Sequence, residues 1–141
     1  DEVYFQLGKC NYLIKSFQDS IAHFKRAISI KPQESMYYFG LGCAYDESGS
    51  TKLAKAAFND AININPMNVQ ARIAYAITLT KELEYAQSIE QFNTVLKYIP
   101  NNSDTLYNLA KRYNTSVSEI KSINKLNSNI LSIGQVLKIP N

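Results

Sequence analysis

Three of the four prolines recur at a fixed interval, since Pro32, Pro66 and Pro100 are each 34 residues apart (66 − 32 and 100 − 66). A period of this length is typical of stacked helical hairpins, in which each unit buries its apolar face only against a neighbour. The fourth proline, Pro140, falls outside the period. The sequence therefore predicts a repeat array followed by a separate C-terminal tail.

Units that begin at residues 1, 35 and 69 share small and aromatic residues at matching positions. The recurring residues are Tyr4 and Tyr38; Leu7-Gly8, Leu41-Gly42 and Tyr75-Ala76; Cys10, Ala44 and Thr78; Phe17 and Tyr85; Phe24, Phe58 and Phe92; Ala27, Ala61 and Val95. The small residues allow two helices to approach closely, the phenylalanines fill the space between units, and each proline ends a second helix. Gly49 marks a turn that uses a left-handed conformation. The predicted helices are 2–14, 17–30, 36–48, 51–64, 69–82 and 85–98.

This pattern resembles the tetratricopeptide repeat family over residues 1–102, with repeats at 1–34, 35–68 and 69–102. The folded array is expected to cover residues 1–98, because its last helix is predicted to end there. The resemblance implies that the first helices line a concave groove that binds a protein partner. The groove positions correspond here to Phe5, Lys9, Tyr12, Met36, Phe39, Cys43, Asp46, Gln70, Ile73, Ile77 and Thr80. They are mostly apolar, which favours an amphipathic helix or an apolar segment as partner. Alternatively, these side chains pack on flanking repeats.

Some members of the family bind a C-terminal carboxylate through a clamp of Lys, Asn and Arg. The matching positions in this chain are Phe5, Lys9, Gly40, Gln70 and Ala74. Only Lys9 could serve such a clamp, so we do not expect this chain to bind a carboxylate in that way.

The tail after Pro100 follows a different pattern. Apolar residues at helical spacing predict a first helix through Leu106, Leu109, Ala110 and Tyr113. Thr115 or Ser116 would cap a second helix, with Glu119 completing a capping box. Alternating residues 135–139 predict a strand. Its partner strand could come only from residues 97–100, which also complete the last repeat helix.

The tail resembles a lysin motif (LysM), a small βααβ module, over residues 97–141. The resemblance is carried by Asp104-Thr105-Leu106, Leu109-Ala110, Tyr113, Thr115-Ser116-Val117, Ile120, Asn124, Leu126, Ile133-Gly134-Gln135, Leu137 and Ile139-Pro140. It implies a shallow groove for polymers of N-acetylglucosamine such as peptidoglycan. The implied lining is Ser103, Asp104, Thr105 and Leu106 on one side and Asn127, Ser128, Asn129, Ile130 and Leu131 on the other.

A competing alignment treats the tail's first helix as the start of a fourth repeat, because its apolar residues also fall on repeat positions. The repeat pattern fails afterwards, since Glu119 and Leu126 stand where aromatics would be expected. We therefore favour the LysM interpretation.

Composition narrows the possible functions. Net charge is +3, and the excess lies in the tail, where Lys and Arg are too scattered to predict nucleic-acid binding. No apolar run approaches the roughly 20 residues of a membrane span. Cys10 and Cys43 are expected to be buried free thiols, and His23 a surface residue. No catalytic set, metal site or cofactor motif is predicted. The missing initiator Met suggests a fragment or a processed chain.

The sequence thus predicts a mainly α protein: a three-repeat helical solenoid with a small C-terminal α+β module. The favoured function is a non-enzymatic adaptor in the bacterial cell envelope, in the periplasm or on the outer surface, whose tail binds peptidoglycan and whose groove binds a protein. One alternative is a pure protein-interaction scaffold in which the tail binds protein or caps the array. Another is a regulatory arm of a larger wall hydrolase.

Overall fold

The repeats form pairs of helices that pack on one another in chain order. The computed structural model describes residues 1–98, 106–127 and 136–140. The helices of the array are α1 Glu2–Leu13, α2 Phe17–Ile30, α3 Ser35–Glu47, α4 Thr51–Ile64, α5 Val69–Lys81 and α6 Tyr85–Tyr98. The second helices have the predicted limits, and the first helices end one residue earlier than predicted. The solenoid predicted from the period of the prolines is confirmed.

A phenylalanine beneath a small residue fixes how closely the two helices of a repeat pack. A Cβ on Gly42 would lie 2.5 Å from the Phe58 ring, and one on Gly8 would lie 2.7 Å from the Phe24 ring. Both rings are 1% exposed. The prediction that small residues allow the two helices to approach closely is therefore confirmed in the first two repeats. Phe92 differs, because 37% of it is exposed.

The turn between the two helices needs the same backbone conformation in every repeat. Residue 15 of each unit has positive φ: 62° at Lys15, 81° at Gly49 and 64° at Leu83. The sequence predicts this conformation only at Gly49. Lys and Leu adopt it at a cost of roughly 1–2 kcal/mol, because Cβ crowds the following carbonyl oxygen.

The chain divides into two compact units, Asp1–Phe92 and Asn93–Asn141. The division between these units falls inside α6, which continues to Tyr98. The domain limits predicted from the sequence, 1–98 and 97–141, therefore remain predictions. The second unit contains α7 Leu106–Arg112 and α8 Val117–Asn124. Its core consists of Leu106, Leu109, Ala110, Ile120 and Leu137, with Tyr113, Val117, Leu126 and Ile139 packed against it.

Local hydrogen bonds define the second of these short helices. The Ser116 hydroxyl accepts from the Glu119 amide at 3.1 Å, and the Glu119 carboxylate accepts from the Ser116 amide at 2.9 Å. The predicted capping box is therefore confirmed. The side-chain amide of Asn124 donates to the carbonyl of Lys138, and its oxygen accepts from the Lys138 amide, both at 2.7 Å. These bonds hold residues 136–140 against α8.

The predicted strands are not confirmed. Residues 136–140 do not form a strand, and Lys97 and Tyr98 belong to α6. Ile99 and Pro100, the rest of the predicted partner strand, lie outside the described residues. The mainly α class is therefore established, while the βααβ arrangement of the tail stays a prediction.

The cysteine prediction is wrong in part. Cys10 is exposed and Cys43 is partly buried, and both are free thiols. At the position of Cys10, the other repeats bury Ala44 and Thr78, which are 0% and 1% exposed. Ala44 packs in a cluster with Phe24 of the preceding repeat, whereas Cys10 is exposed on α1.

Candidate functional site

A concave apolar pocket lies between the first helices of the first two repeats. Its volume is about 260 Å³. The lining residues are Phe5, Lys9, Tyr12, Leu13, Phe24, Met36, Phe39, Gly40 and Cys43. The structure therefore brings together the predicted groove residues of α1 and most of those of α3.

Gly40 and Phe24 form the floor of the pocket. A Cβ on Gly40 would lie 2.7 Å from the Phe24 ring, so a larger residue at this position would force the ring or the helix to shift. Phe5 packs beside it, with ring centroids 5.7 Å apart, and on Tyr37 at 4.9 Å. Gly40, Phe24 and Leu13 line the pocket but were not among the predicted groove residues. The signal for Gly40 was its place one turn before the groove residue Cys43 in α3.

Among the described residues that line the pocket, Lys9 is the one that is charged, and acidic groups lie near the pocket. The Lys9 ammonium lies 5.5 Å from the centroid of the Phe5 ring, a cation–π distance. At the other end, burial and the nearby Asp46 and Glu47 raise the pKa of the Cys43 thiol to about 12. Burial, followed by electrostatic interactions with Cys43, Glu47 and Asp46, also raises the pKa of Tyr12. Cys43 is therefore a neutral, weakly reactive part of an apolar wall rather than a nucleophile.

The remaining predicted groove residues lie outside the pocket. Asp46 pairs with Lys81 at 2.7 Å and so joins α3 to α5. Gln70 and Thr80 are exposed, and Ile73 is partly buried. Ile77 is 45% exposed, which makes it the large apolar side chain that α5 leaves most accessible.

Most of the predicted glycan residues fall outside the described part of the chain, namely Ser103, Asp104, Thr105, Ser128, Asn129, Ile130 and Leu131. Leu106 is 1% exposed and packs in the core of the second unit, so its side chain supports the fold rather than facing a ligand. Asn127 is exposed. It borders an open cavity of about 460 Å³ that is also lined by Ser118, Lys121, Ser122, Lys125 and Leu126.

The described part of the chain contains neither a membrane-spanning helix nor a metal-binding cluster. No helix in residues 1–98, 106–127 or 136–140 is both long and apolar enough to cross a bilayer. Within the same ranges, no three His, Cys, Asp or Glu residues are grouped so that they could bind a metal ion.

His23, which is partly buried, stacks on the Tyr4 ring at a centroid distance of 6.1 Å.

Comparison with protein families supports both predicted resemblances. Residues 1–34 and 37–68 match the family described as tetratricopeptide repeat, and residues 101–140 match the LysM domain. The two predicted families are confirmed in the predicted order. Neither family is catalytic.

Curated relatives are much longer than this chain. Human tetratricopeptide repeat protein 6 is 29% identical over 96 residues, which cover 66% of this chain and 18% of that protein. Superkiller protein 3 of Schizosaccharomyces pombe is 29% identical over 140 residues, or 94% of this chain and 10% of that protein. The chain therefore spans less than a fifth of either relative.

Solved structures share the fold of the array. A crystal structure of MamA has a TM-score of 0.66 at 26% identity, covering 68% of this chain and 56% of that one. The TPR2B domain of yeast Sti1, in a complex with Hsp70, has a TM-score of 0.65 at 21% identity and covers 88% and 90%. The second repeat domain of Spaghetti (RPAP3), bound to an HSP90 peptide, has a TM-score of 0.64 at 16% identity and covers 67% and 87%.

Proposed function

We propose that this chain, which carries tetratricopeptide repeats followed by a LysM domain, is a non-enzymatic adaptor of the cell envelope. Its C-terminal domain would bind a glycan that contains N-acetylglucosamine, such as peptidoglycan, and its repeats would bind a protein partner. The observation that carries the protein-binding half is the apolar pocket between α1 and α3. The glycan-binding half and the location rest on the LysM match at residues 101–140.

The pocket favours a bulky apolar side chain from the partner. Its walls are aromatic and aliphatic, and Gly40 allows α3 to pack directly on the Phe24 ring. Burying a Leu, Met or Phe side chain from water contributes about 1.5–3 kcal/mol. Two similar folds occur in complexes with Hsp70 and with an HSP90 peptide, which supports a peptide segment as ligand. The anchor here would be apolar, because Lys9 is the only cation at the clamp positions.

Peptide selection tests the protein-binding half. Peptides selected from a displayed library on the full chain should share a bulky apolar residue. Met36→Asp places a charge at the mouth of the pocket and should weaken these peptides about tenfold or more. Leu53→Asp is the matched control, since Leu53 is 52% exposed on α4 and does not line the pocket. Equal binding by both variants would contradict the proposed pocket.

A nuclear magnetic resonance titration tests the glycan-binding half. A short soluble oligomer of N-acetylglucosamine added to the ¹⁵N-labelled chain should shift amide signals within residues 101–140, including Asn127. Amides of the repeats should not respond. A single LysM domain is expected to bind weakly, so the titration should extend to millimolar sugar. The absence of shifts at that concentration would instead support a tail that binds protein or caps the array.

A further inference from the structure

Asn68 links the third repeat to the wall of the apolar pocket. It is the N-cap residue of α5 and is 7% exposed. Its side-chain oxygen accepts from the amide of Ala71 at 3.0 Å, which caps the helix. Its side-chain NH₂ group donates to the Ser35 hydroxyl at 2.7 Å and to the sulfur of Met36 at 3.8 Å. One side chain thus caps α5 and bonds to the first two residues of α3.

Ser35 fixes the orientation of this amide group. Its hydroxyl accepts from Asn68 and donates to the carbonyl of Ala61 at 2.7 Å. Ser35 is 4% exposed, so a break in this chain of hydrogen bonds would leave buried polar atoms unpaired. The side chain of Asn68 is therefore held in one position, with its NH₂ group beside the Met36 sulfur.

Met36 is the most flexible apolar side chain in the pocket wall. It lines the pocket and is 37% exposed. Methionine has three rotatable bonds and adapts to irregular surroundings, so an untethered Met36 would change the shape of the wall. A thioether is a weak acceptor, but a bond to it favours one of these shapes over the others.

This link is not a general feature of the repeat. Glu34 occupies the same N-cap position before α3, and its side chain pairs with Lys31 at 3.1 Å. At the position of Met36, the other repeats carry Glu2 and Gln70. The repeat pattern accounts for the helices, but it accounts for neither the asparagine nor the methionine of this pair.

We propose that Asn68 is a positioning residue for the pocket, because it holds Met36 in the shape that selects the apolar anchor of a peptide partner. This role rests on the proposed protein-binding function and adds a determinant of specificity to it. Asn68 is too buried to contact the peptide and acts through Met36. The third repeat thereby influences which anchor the first two repeats accept.

The methyl group of Met36 tests this contact without any ligand. The chain contains two methionines, Met36 and Met67, so ¹³C labelling of the methionine methyl groups gives two signals, which Met36→Leu assigns. Asn68→Ser keeps an oxygen that caps α5 but is too short to reach the sulfur. Relaxation measurements should show a more mobile Met36 methyl in this variant. Asn65→Ser is the matched control, since Asn65 bonds to the amide of Met67 in the same linker.

Selectivity for the anchor tests the role in binding. A peptide selected on the full chain is resynthesised with leucine, methionine, phenylalanine or alanine at its anchor, and each version is titrated by calorimetry. Asn68→Ser should reduce the preference for the best anchor over the next by about threefold, which is the effect of one weak hydrogen bond. A merely structural change would instead weaken all four versions equally, including the one with alanine.

Met36→Leu provides the background on which the link is absent. Leucine fills a similar volume without a sulfur acceptor. On this background, Asn68→Ser should no longer alter the preference among anchors, because the two changes act on one contact. Circular dichroism would verify folding. Asn68→Asp, which also keeps a capping oxygen and lacks the NH₂ group, would replace Asn68→Ser if the latter unfolds.

Two results would overturn this role for Asn68. The first is a Met36 methyl group whose mobility is the same in the wild type and in Asn68→Ser. The second is a change in anchor preference that is equally large with and without Met36→Leu. Failure to select any peptide on the wild-type chain would contradict the proposed function instead, and the methyl measurement would still decide whether Asn68 holds Met36.

Discussion

The repeat array and the C-terminal unit are stabilised by different kinds of contact. In the array, Phe24 and Phe58 each pack beneath a glycine of their own repeat, so stability comes from a contact that recurs along the chain. In the C-terminal unit, one small cluster contains Ile120 and Leu137, and Asn124 links its last segment to α8. A change in the array should therefore affect neighbouring repeats, whereas a change in the cluster should affect the whole C-terminal unit.

The largest expected effect concerns the recurring phenylalanine. Phe58→Ala should lower the free energy of unfolding of the array by about 3–5 kcal/mol, because a ring with 1% exposure leaves a cavity. Phe92→Ala, at the same position of the third repeat, should cost clearly less, since its ring is 37% exposed. Urea denaturation followed by circular dichroism measures both. Equal losses would mean that burial does not distinguish the inner repeats from the last one.

Ile120→Ala tests whether the C-terminal unit unfolds separately. Ile120 is 0% exposed, so its truncation should cost this unit about 2–5 kcal/mol. Hydrogen exchange should accelerate at the amides of α7 and α8 and stay unchanged at those of α3 and α4. Equal acceleration in α3 and α4 would contradict the division into two separately stabilised units.

A smaller effect is expected at the turn between the helices of each repeat. Gly49→Ala should cost about 1 kcal/mol, because the turn requires a φ of 81° there and the only penalty is conformational. Leu83→Gly should stabilise the third repeat by up to about 1 kcal/mol, since it removes a side chain from the same conformation. Thermal melts of both variants measure these two changes in stability. A loss of stability in Leu83→Gly would show that contacts of the leucine outweigh the strain.

The smallest effect is pH dependence at the capping box of the C-terminal unit. Hydrogen bonds from Thr115, then from the amide and hydroxyl of Ser116, hold the pKa of Glu119 below its ordinary value of 4.5. Because the pKa of Glu119 is lower in the folded chain than in the unfolded chain, this stabilisation is fully present above the unfolded pKa. It is lost as the pH falls through the folded pKa. The protection factors of α8 amides, which are exchange rates corrected for the intrinsic effect of pH, should therefore fall as the pH is lowered through the folded pKa of Glu119. Glu119→Gln should remove this step, and a variant that retained it would contradict the assignment to Glu119.

Sequence patterns predicted those features that depend on local chemistry and on the repeat. Prolines placed the ends of α2 and α4, the Ser116–Glu119 spacing predicted the capping box, and the resemblance to tetratricopeptide repeats placed Phe5, Met36 and Cys43 in a groove. The first two follow from neighbours within one or two helical turns. The residues themselves were sufficient for such predictions.

Features that depend on the neighbouring helix could not be predicted in the same way. Cys10 is exposed although its repeat position is buried elsewhere, because burial depends on the repeat that precedes it. Lys55 meets Glu82 and Glu84 only when two repeats stack. The left-handed conformation at Lys15 and Leu83 is imposed by the hairpin against residue preference. The pocket floor at Gly40 likewise requires the position of Phe24 on another helix.

The adaptor proposal is tested most directly by sedimentation of the full chain with insoluble peptidoglycan. The folded chain should appear in the pellet and be released by soluble oligomers of N-acetylglucosamine, and Met36→Asp should pellet equally, because its change lies in the repeats. A folded chain that remains in the supernatant at every peptidoglycan concentration would contradict a glycan-binding role for the C-terminal domain.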